Sequence, residues 1–195
     1  FTFGITNSFS YKNFDLSVFL NGSYGNKLFN YSAINLSSMK SAWDNQLQLV
    51  TNRANLTPID AAKNYPAEVN GVTVYEWMDD ITNIIVSNPN TDIPRPITND
   101  PNDNDRISDR YVEDGSYLRI RNITFGYTLP STLVRKWNLE NIRIYANIQN
   151  LHTFTNYSGY DPEIGASTTS QYVFGLDNGR YPSPQVYSFG LNLSF

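Results

Sequence analysis

Tyr111 to Pro130 reads Tyr-Val-Glu-Asp-Gly-Ser-Tyr-Leu-Arg-Ile-Arg-Asn-Ile-Thr-Phe-Gly-Tyr-Thr-Leu-Pro, a turn signal followed by one uninterrupted extended run. Glu113-Asp114-Gly115 reads as a turn in which Gly takes positive φ, and Pro130 ends the pairing because it has no N–H to donate. About a dozen residues lie between these marks, twice the usual strand of a soluble sheet and close to what a tilted strand needs to cross a bilayer. Leu118 and Ile120 have one parity while Ile123, Phe125 and Tyr127 have the other. The slip at Asn122 predicts a β-bulge, or an upper strand end standing above lipid.

Working outward, the same period of two recurs four times. Phe1, Phe3, Ile5, Phe9 and Tyr11 alternate with Thr, Gly and Ser; after a tight turn Phe14, Leu16, Val18 and Leu20 do the same. Ile142, Ile144, Ala146 and Ile148 mark a fourth strand, and Tyr187, Phe189, Leu191 and Leu193 a fifth. The predicted strands cover about 1–11, 13–22, 116–128, 141–151 and 185–195, with long loops at about 23–115 and 152–184. Within the first loop, Leu36, Met39, Trp43 and Leu47 have helical spacing. Thr57-Pro58 with Asp60 reads as an N-cap and first helical turn, and Trp77, Met78, Ile81 and Ile85 as a further amphipathic turn. Asn88 to Asp105 is rich in Asn, Asp and Pro and reads as a solvated connection, and Ser131 to Trp137 as one or two helical turns capped by Ser131.

Connections therefore alternate, short, very long, short, long, as in an outer-membrane barrel with tight turns on one side and long loops on the other. One face of each run is large and apolar, and the other carries Ser, Thr, Asn and Gly with almost no Lys or Glu. A soluble sandwich would place Lys and Glu there. A net charge of −4 and no basic stripe exclude a nucleic-acid footprint, and no cysteine means no disulfide frame and no thiol chemistry. No run of about 18 apolar residues could be a membrane helix, so the chain either is soluble or meets lipid through strands. Opening inside a strand pattern on Phe1, it reads as a piece of a longer polypeptide. The fold class is all-β, a transmembrane antiparallel β-barrel segment whose long loops carry short helices.

Several blocks carry a resemblance. Pro89-Asn90-Thr91-Asp92-Ile93-Pro94-Arg95, Ser108 through Arg119, Gly126-Tyr127-Thr128-Leu129-Pro130, Asn150-Leu151, Gly159-Tyr160-Asp161-Pro162-Glu163 and Gly190 through Phe195 are similar to the C-terminal portion of the SusC/RagA family of TonB-linked outer-membrane transporters. His152 stands where that family would have an aromatic or aliphatic residue. The resemblance implies about five C-terminal strands of a barrel of roughly 22 around a plug that this chain lacks. It implies import of glycan or peptide oligomers with a SusD-like surface lipoprotein, driven by TonB through the missing N-terminal part, with outer-membrane lipid around the wall and no nucleic acid. The alternative is a soluble, aromatic-rich carbohydrate-binding β-domain.

The residues offer no catalytic, cofactor or metal set. His152 is the only histidine, so a His-based dyad or zinc cluster cannot be built. Asp100, Asn102, Asn104 and Asp105 resemble the start of a calcium loop, but Asp105 stands at the sixth position and Tyr111 at the twelfth, where Gly and Glu belong. Asp161 and Glu163 form a carboxylate pair inside an Asp-Pro-Glu turn, which reads as structural. Candidate substrate or lid contacts are Trp43, Trp77, Tyr75, Tyr157 and Tyr160, with packing inside the loops as the competing assignment. The expected lipid-facing set is Phe1, Phe3, Ile5, Phe14, Leu16, Val18, Tyr187, Phe189, Leu191 and Leu193. The resemblance adds Phe195 as an aromatic terminus read during barrel assembly.

Overall fold

The computed structural model describes residues 1–38, 43–63, 66–69, 72–75, 81–96, 100, 102–163 and 174–195. The chain divides into two compact units, Phe1–Ser32 with Ser108–Phe195, and Ala33–Ile107. In chain order the strands are β1 (Thr2–Tyr11), β2 (Phe14–Ser23), β3 (Lys27–Asn30), β4 (Leu56–Pro58), β5 (Pro66–Val69), β6 (Val72–Tyr75), β7 (Ile84–Val86), β8 (Val112–Asp114), β9 (Tyr117–Thr128), β10 (Asn141–Thr155), β11 (Leu176–Asp177) and β12 (Val186–Ser194). The α-helices are α1 (Tyr31–Ser38) and α2 (Ser131–Val134). Among the described residues no helix is long and apolar enough to cross a membrane.

In the first unit, β1-β2-β9-β10-β12 form a five-stranded sheet in which every neighbour is antiparallel. Tyr11 pairs Phe14 across a two-residue turn in which Lys12 takes a left-handed φ of 54°. That turn and the α2 segment joining β9 to β10 define one end of the sheet, the turn end. The long connections leave from the other, the loop end. There β11, β3 and β8 build a three-stranded sheet from three separate loop segments. The buried apolar residues of this unit, Leu28, Tyr111, Val134, Ile142 and Tyr157, all lie toward one end or the other. Among the described residues, no apolar side chain in the middle of the large sheet is buried. A soluble sheet would have its core there.

The parity slip in β9 is a bulge. Phe19 pairs Asn122 and Leu20 pairs Ile120, so Arg121 is the extra residue against β2. On the other side Gln149 pairs Asn122 and His152 pairs Ile120, leaving Asn150 and Leu151 opposite Arg121, with Asn150 at φ 53°. Each strand from β2 to β10 thus inserts one more residue than the last. The outcome is that Leu118 and Ile120 return to the face of Ile123, Phe125 and Tyr127.

Several expectations are corrected. Gly115 is not at positive φ: it precedes β9 directly after β8, and its missing side chain matters because a Cβ would stand 2.6 Å from Leu28 Cγ. β10 continues to Thr155, past the expected end at residue 151, because Thr153 to Thr155 go on pairing with Arg119 to Tyr117. Ser131 is the first residue of α2 and makes no side-chain cap; Pro130 occupies the cap position.

In the second unit, Thr57-Pro58 is not a helix start but part of β4, paired with β7 in a two-stranded ribbon whose edge tolerates proline. Asp60 does cap, accepting the Ala62 N–H at 2.9 Å ahead of a single 3-10 turn, Ala61–Lys63. Leu36 lies in α1, but Trp43 to Leu47 is irregular, tied back by the Leu47 N–H to the Leu36 carbonyl at 2.8 Å. Ile81 begins a 3-10 turn and Ile85 sits in β7, so they do not share a helix face. Met39, Trp77 and Met78 lie outside the described residues. The Asn88 segment is pinned to its neighbours, with Asn88 accepting from the Asn55 N–H at 2.7 Å and donating to the Arg53 carbonyl at 2.8 Å.

Candidate functional site

The site is the sheet itself, which has two chemically opposed faces. Residues directly opposite in a ladder share a face, so the register sorts every side chain. Phe3-Gly22, Ile5-Leu20 and Tyr11-Phe14 join β1 to β2, and Phe14-Tyr127, Leu16-Phe125 and Val18-Ile123 join β2 to β9. Tyr127-Ile144 and Ile123-Ile148 carry the face to β10, and Ile144-Leu191, Ile148-Tyr187 and Ile142-Leu193 to β12. The ten residues expected to meet lipid, from Phe1 through Leu193, therefore belong to one face. Phe189 is 84% exposed on it, Leu191 56% and Ile5 49%. Its polar members in the strands are Asn7 and His152.

The opposite face is polar and self-paired. Arg143 reaches across β9 to Asp15, its Nε at 3.0 Å from Oδ1 and Nη2 at 2.6 Å from Oδ2. Gly126 lies between them. A Cβ there would meet the Asp15 carboxylate and stand 2.5 Å from the Arg143 guanidinium, so the pair closes over bare backbone and any side chain at 126 would make it shift. Toward mid-strand, Asn147 Nδ2 donates to Asn122 Oδ1 at 2.7 Å and Thr124 Oγ1 at 2.8 Å.

At the loop end the polar face carries a four-charge cluster. Arg119 alternates onto this face and is 3% exposed. Its Nε donates to Thr153 Oγ1 at 2.8 Å, one nitrogen to Glu163 at 2.7 Å and the other to Asp161. Arg121 Nη1 also reaches Glu163, at 2.5 Å. Asp161 further accepts the Glu163 N–H at 2.9 Å and the Ser183 N–H at 3.1 Å. Burial opposes the Asp161 charge, but the Ser183 and Glu163 N–H groups and Arg119 outweigh it and hold its carboxyl below the usual range. The Asp-Pro-Glu turn is thereby fastened over the polar face. Nearby, Glu113 accepts Asn30 Nδ2 at 2.9 Å and the Ser158 hydroxyl at 2.7 Å, joining β3, β8 and the loop after β10. Sequence reading missed the joining of these groups. Its trace is two arginines, Arg119 and Arg121, within a strand whose polar face is otherwise uncharged.

The candidate contact residues are divided between the two units. Trp43, in the second unit, is 95% exposed, and Tyr160, in the loop after β10, is 72% exposed. Tyr157 is 6% exposed: burial, then its hydrogen bond to Asp177 at 2.6 Å, pushes its hydroxyl pKa up, and its ring packs inside the loop instead of offering a face to a partner. Tyr75 lies in β6 with its side chain outside the described residues, as is all of Trp77. Phe195 is 86% exposed. In the 100–111 loop, Asp100 accepts the N–H groups of Asn102 at 3.1 Å and Asn104 at 2.6 Å, so its oxygens serve the turn.

No family model matches the chain. It is 35% identical, over its whole length, to TonB-dependent receptor P3 of Formosa agariphila, and 25% identical over 75% of its length to TonB-dependent receptor SusC of Bacteroides thetaiotaomicron. The chain spans 16% and 15% of those two receptors. Among solved structures, the RagAB peptide transporter superposes on all of it with a TM-score of 0.64 at 20% identity, and the RagAB peptide importer in its open-open state with 0.66 at 21%. Each match covers 17% of that chain and shares its fold.

Proposed function

This chain belongs to the TonB-dependent receptors, the group that includes SusC, and on that premise we propose that it forms part of the wall and outer loops of an outer-membrane barrel importing an oligomeric nutrient, glycan or peptide. The observation that carries the reading is the segregation of faces: five antiparallel strands place large apolar side chains on one side and amides, hydroxyls and charges on the other, and among the described residues no apolar side chain in the middle of the sheet is buried. An exposed apolar band of this extent is stable against lipid and not against water. The polar face then lines the lumen, where such groups hydrogen-bond sugar hydroxyls and peptide amides alike.

The turn end is periplasmic and the loop end extracellular in this reading. Trp43 and Tyr160 become contacts for substrate or for a SusD-like lipoprotein, with TonB acting through parts of the receptor outside this chain. Phe195 serves assembly. In this reading Asp161 and Glu163 are structural, paired with Arg119 and Arg121 to fasten their turn. The soluble alternative gains nothing from a sheet whose apolar face is bare.

Introduced cysteines test the faces directly, with any cysteine elsewhere in the receptor first replaced by serine; this chain has none. In the complete receptor in outer-membrane vesicles, thiols at 187, 189 and 191 should resist a membrane-impermeant maleimide, because the reacting thiolate does not form in hydrocarbon, and should react once the receptor is denatured. Those at 188, 192 and 194 should react with the impermeant reagent. Equal labelling along β12 would overturn the proposal.

A further inference from the structure

Three aromatic rings stand on the polar face of the five-stranded sheet, among hydroxyls, amides and glycines. The register puts Phe19 of β2, Tyr117 of β9 and Tyr145 of β10 there, opposite Thr6, Ser23 and Gly190. Counted along β2, Tyr117 lies in the row of Ser23, Phe19 holds its own row, and Tyr145 lies in the row of Asp15 and Gly126. The rings therefore follow one another at intervals of four residues, about 13 Å each, from the loop end toward the turn end. All three are half-buried. Two of them lie down on the sheet. A Cβ on Gly190 would run into the Tyr145 ring, and one on Gly4 would stand 3.2 Å from Phe19 Cε2, so each ring covers the bare backbone of a neighbouring strand. One ring face rests on the protein and the other is turned away from it. Arg143, 5.1 Å from the Tyr145 centroid, is drawn the other way, across Gly126 to Asp15.

A ring face bordered by hydroxyls and amides matches a sugar, whose own ring has a face of C–H groups and an edge of hydroxyls. Thr6 and Asn122 border Phe19, and Ser188 and Asn192 stand on either side of Gly190 along β12. The wall also selects on charge. The five strands hold four charged residues, Asp15, Arg119, Arg121 and Arg143, and each is in an ion pair. A charged oligomer would give up water on approaching these strands and find no free counter-charge in return, whereas hydroxyls exchange water for hydroxyl and amide partners. We infer that Tyr117, Phe19 and Tyr145 are successive stacking positions for the rings of a neutral oligosaccharide moving along the polar face. The inference rests on reading that face as the lumen wall, and it narrows the nutrient to one class. Neighbouring positions are farther apart than one sugar reaches, so only an oligomer bridges them.

The test uses the complete receptor, purified in a mild detergent and offered maltohexaose, cellohexaose, xylohexaose, mannohexaose and laminarihexaose, the acidic hexagalacturonate, and a tryptic digest of casein, with mass spectrometry identifying what is retained. At least one neutral hexasaccharide should be retained. Its affinity should fall at least fivefold in Tyr145→Leu and in Phe19→Leu, which keep an apolar side chain but lose the flat face, and should be unchanged in Tyr145→Phe, which keeps the face. If the leucine variants fail to assemble, hydroxyl-radical footprinting of the wild type answers in their place: the retained sugar should protect Phe19, Tyr117 and Tyr145 from oxidation. Retention of peptides or of hexagalacturonate alone, retention of nothing, equal affinity in the leucine and phenylalanine variants, or absence of protection overturns the inference. Maleimide labelling along β12 separates this failure from that of the underlying reading. Labelling of residues 188, 192 and 194 but not of 187, 189 and 191 means that only the stacking assignment is wrong, whereas equal labelling means that the polar face is not the lumen wall.

Discussion

A guanidinium that is 3% exposed, as in Arg119, is held in place because Asp161, Glu163 and Thr153 replace the water it has lost. Breaking a buried pair by removing one partner costs about 3–5 kcal/mol, while an exposed pair is worth about 1 kcal/mol or less. Arg119→Leu should therefore release the Asp161–Glu163 turn, seen as faster hydrogen exchange at the Glu163 and Ser183 amides. Arg121→Leu, at a side chain 38% exposed, should change it little. Equal effects would show that the cluster is not held by Arg119. The pH dependence has a definite sign. Asp161 is lowered on folding, so its contribution is complete above the ordinary value of 3.8 and is lost only as pH falls below that. The turn should stay fastened at neutral and mildly acidic pH. None of this was legible from spacing, because Arg119 and Asp161 are 42 residues apart and only the antiparallel return of β10 brings them together.

At the scale of elements, the strands were legible and the small loop structures were not, for one physical reason. A run of ten or twelve alternating residues repeats its signal many times, while β4, with three residues, repeats it once and is read by its Thr-Pro-x-Asp composition as a helix start. β5 and β6 pair over four residues each and left no readable pattern. The bulge was legible because it breaks a long alternation, but the staircase that continues it into β10 needed the register of two neighbours. Since side chains alternate with a period of two, one inserted residue in mid-strand flips everything beyond it. Inserting alanine between Thr124 and Phe125 should abolish the heat-modifiable folded band of the complete receptor. The same insertion after Asn138, at the end of the turn following α2, should be tolerated. A tolerated β9 insertion would mean that the strand is not held by both neighbours.

For the whole molecule, the question is whether the bare apolar face is a lipid contact. In the first unit the buried apolar residues gather at the two ends of the large sheet, the polar face is cross-linked by Arg143 with Asp15 and by Arg119 with Asp161, and among the described residues no apolar side chain in the middle of the sheet is buried. Lipid supplies that cover in a membrane barrel, and a charge there is expensive, about 2–4 kcal/mol at the bilayer midplane against far less on the lumen side. Ile123 and Thr124 are adjacent in the middle of β9, the central strand of the five, and point to opposite faces. The decisive measurement is the folded fraction of the complete receptor in lipid bilayers, followed by denaturant titration, for Ile123→Arg and Thr124→Arg. The account predicts that Ile123→Arg loses about 2–4 kcal/mol and Thr124→Arg only about the 1 kcal/mol of the hydrogen bond it takes from Asn147. Equal losses, or a greater loss at Thr124, would contradict it.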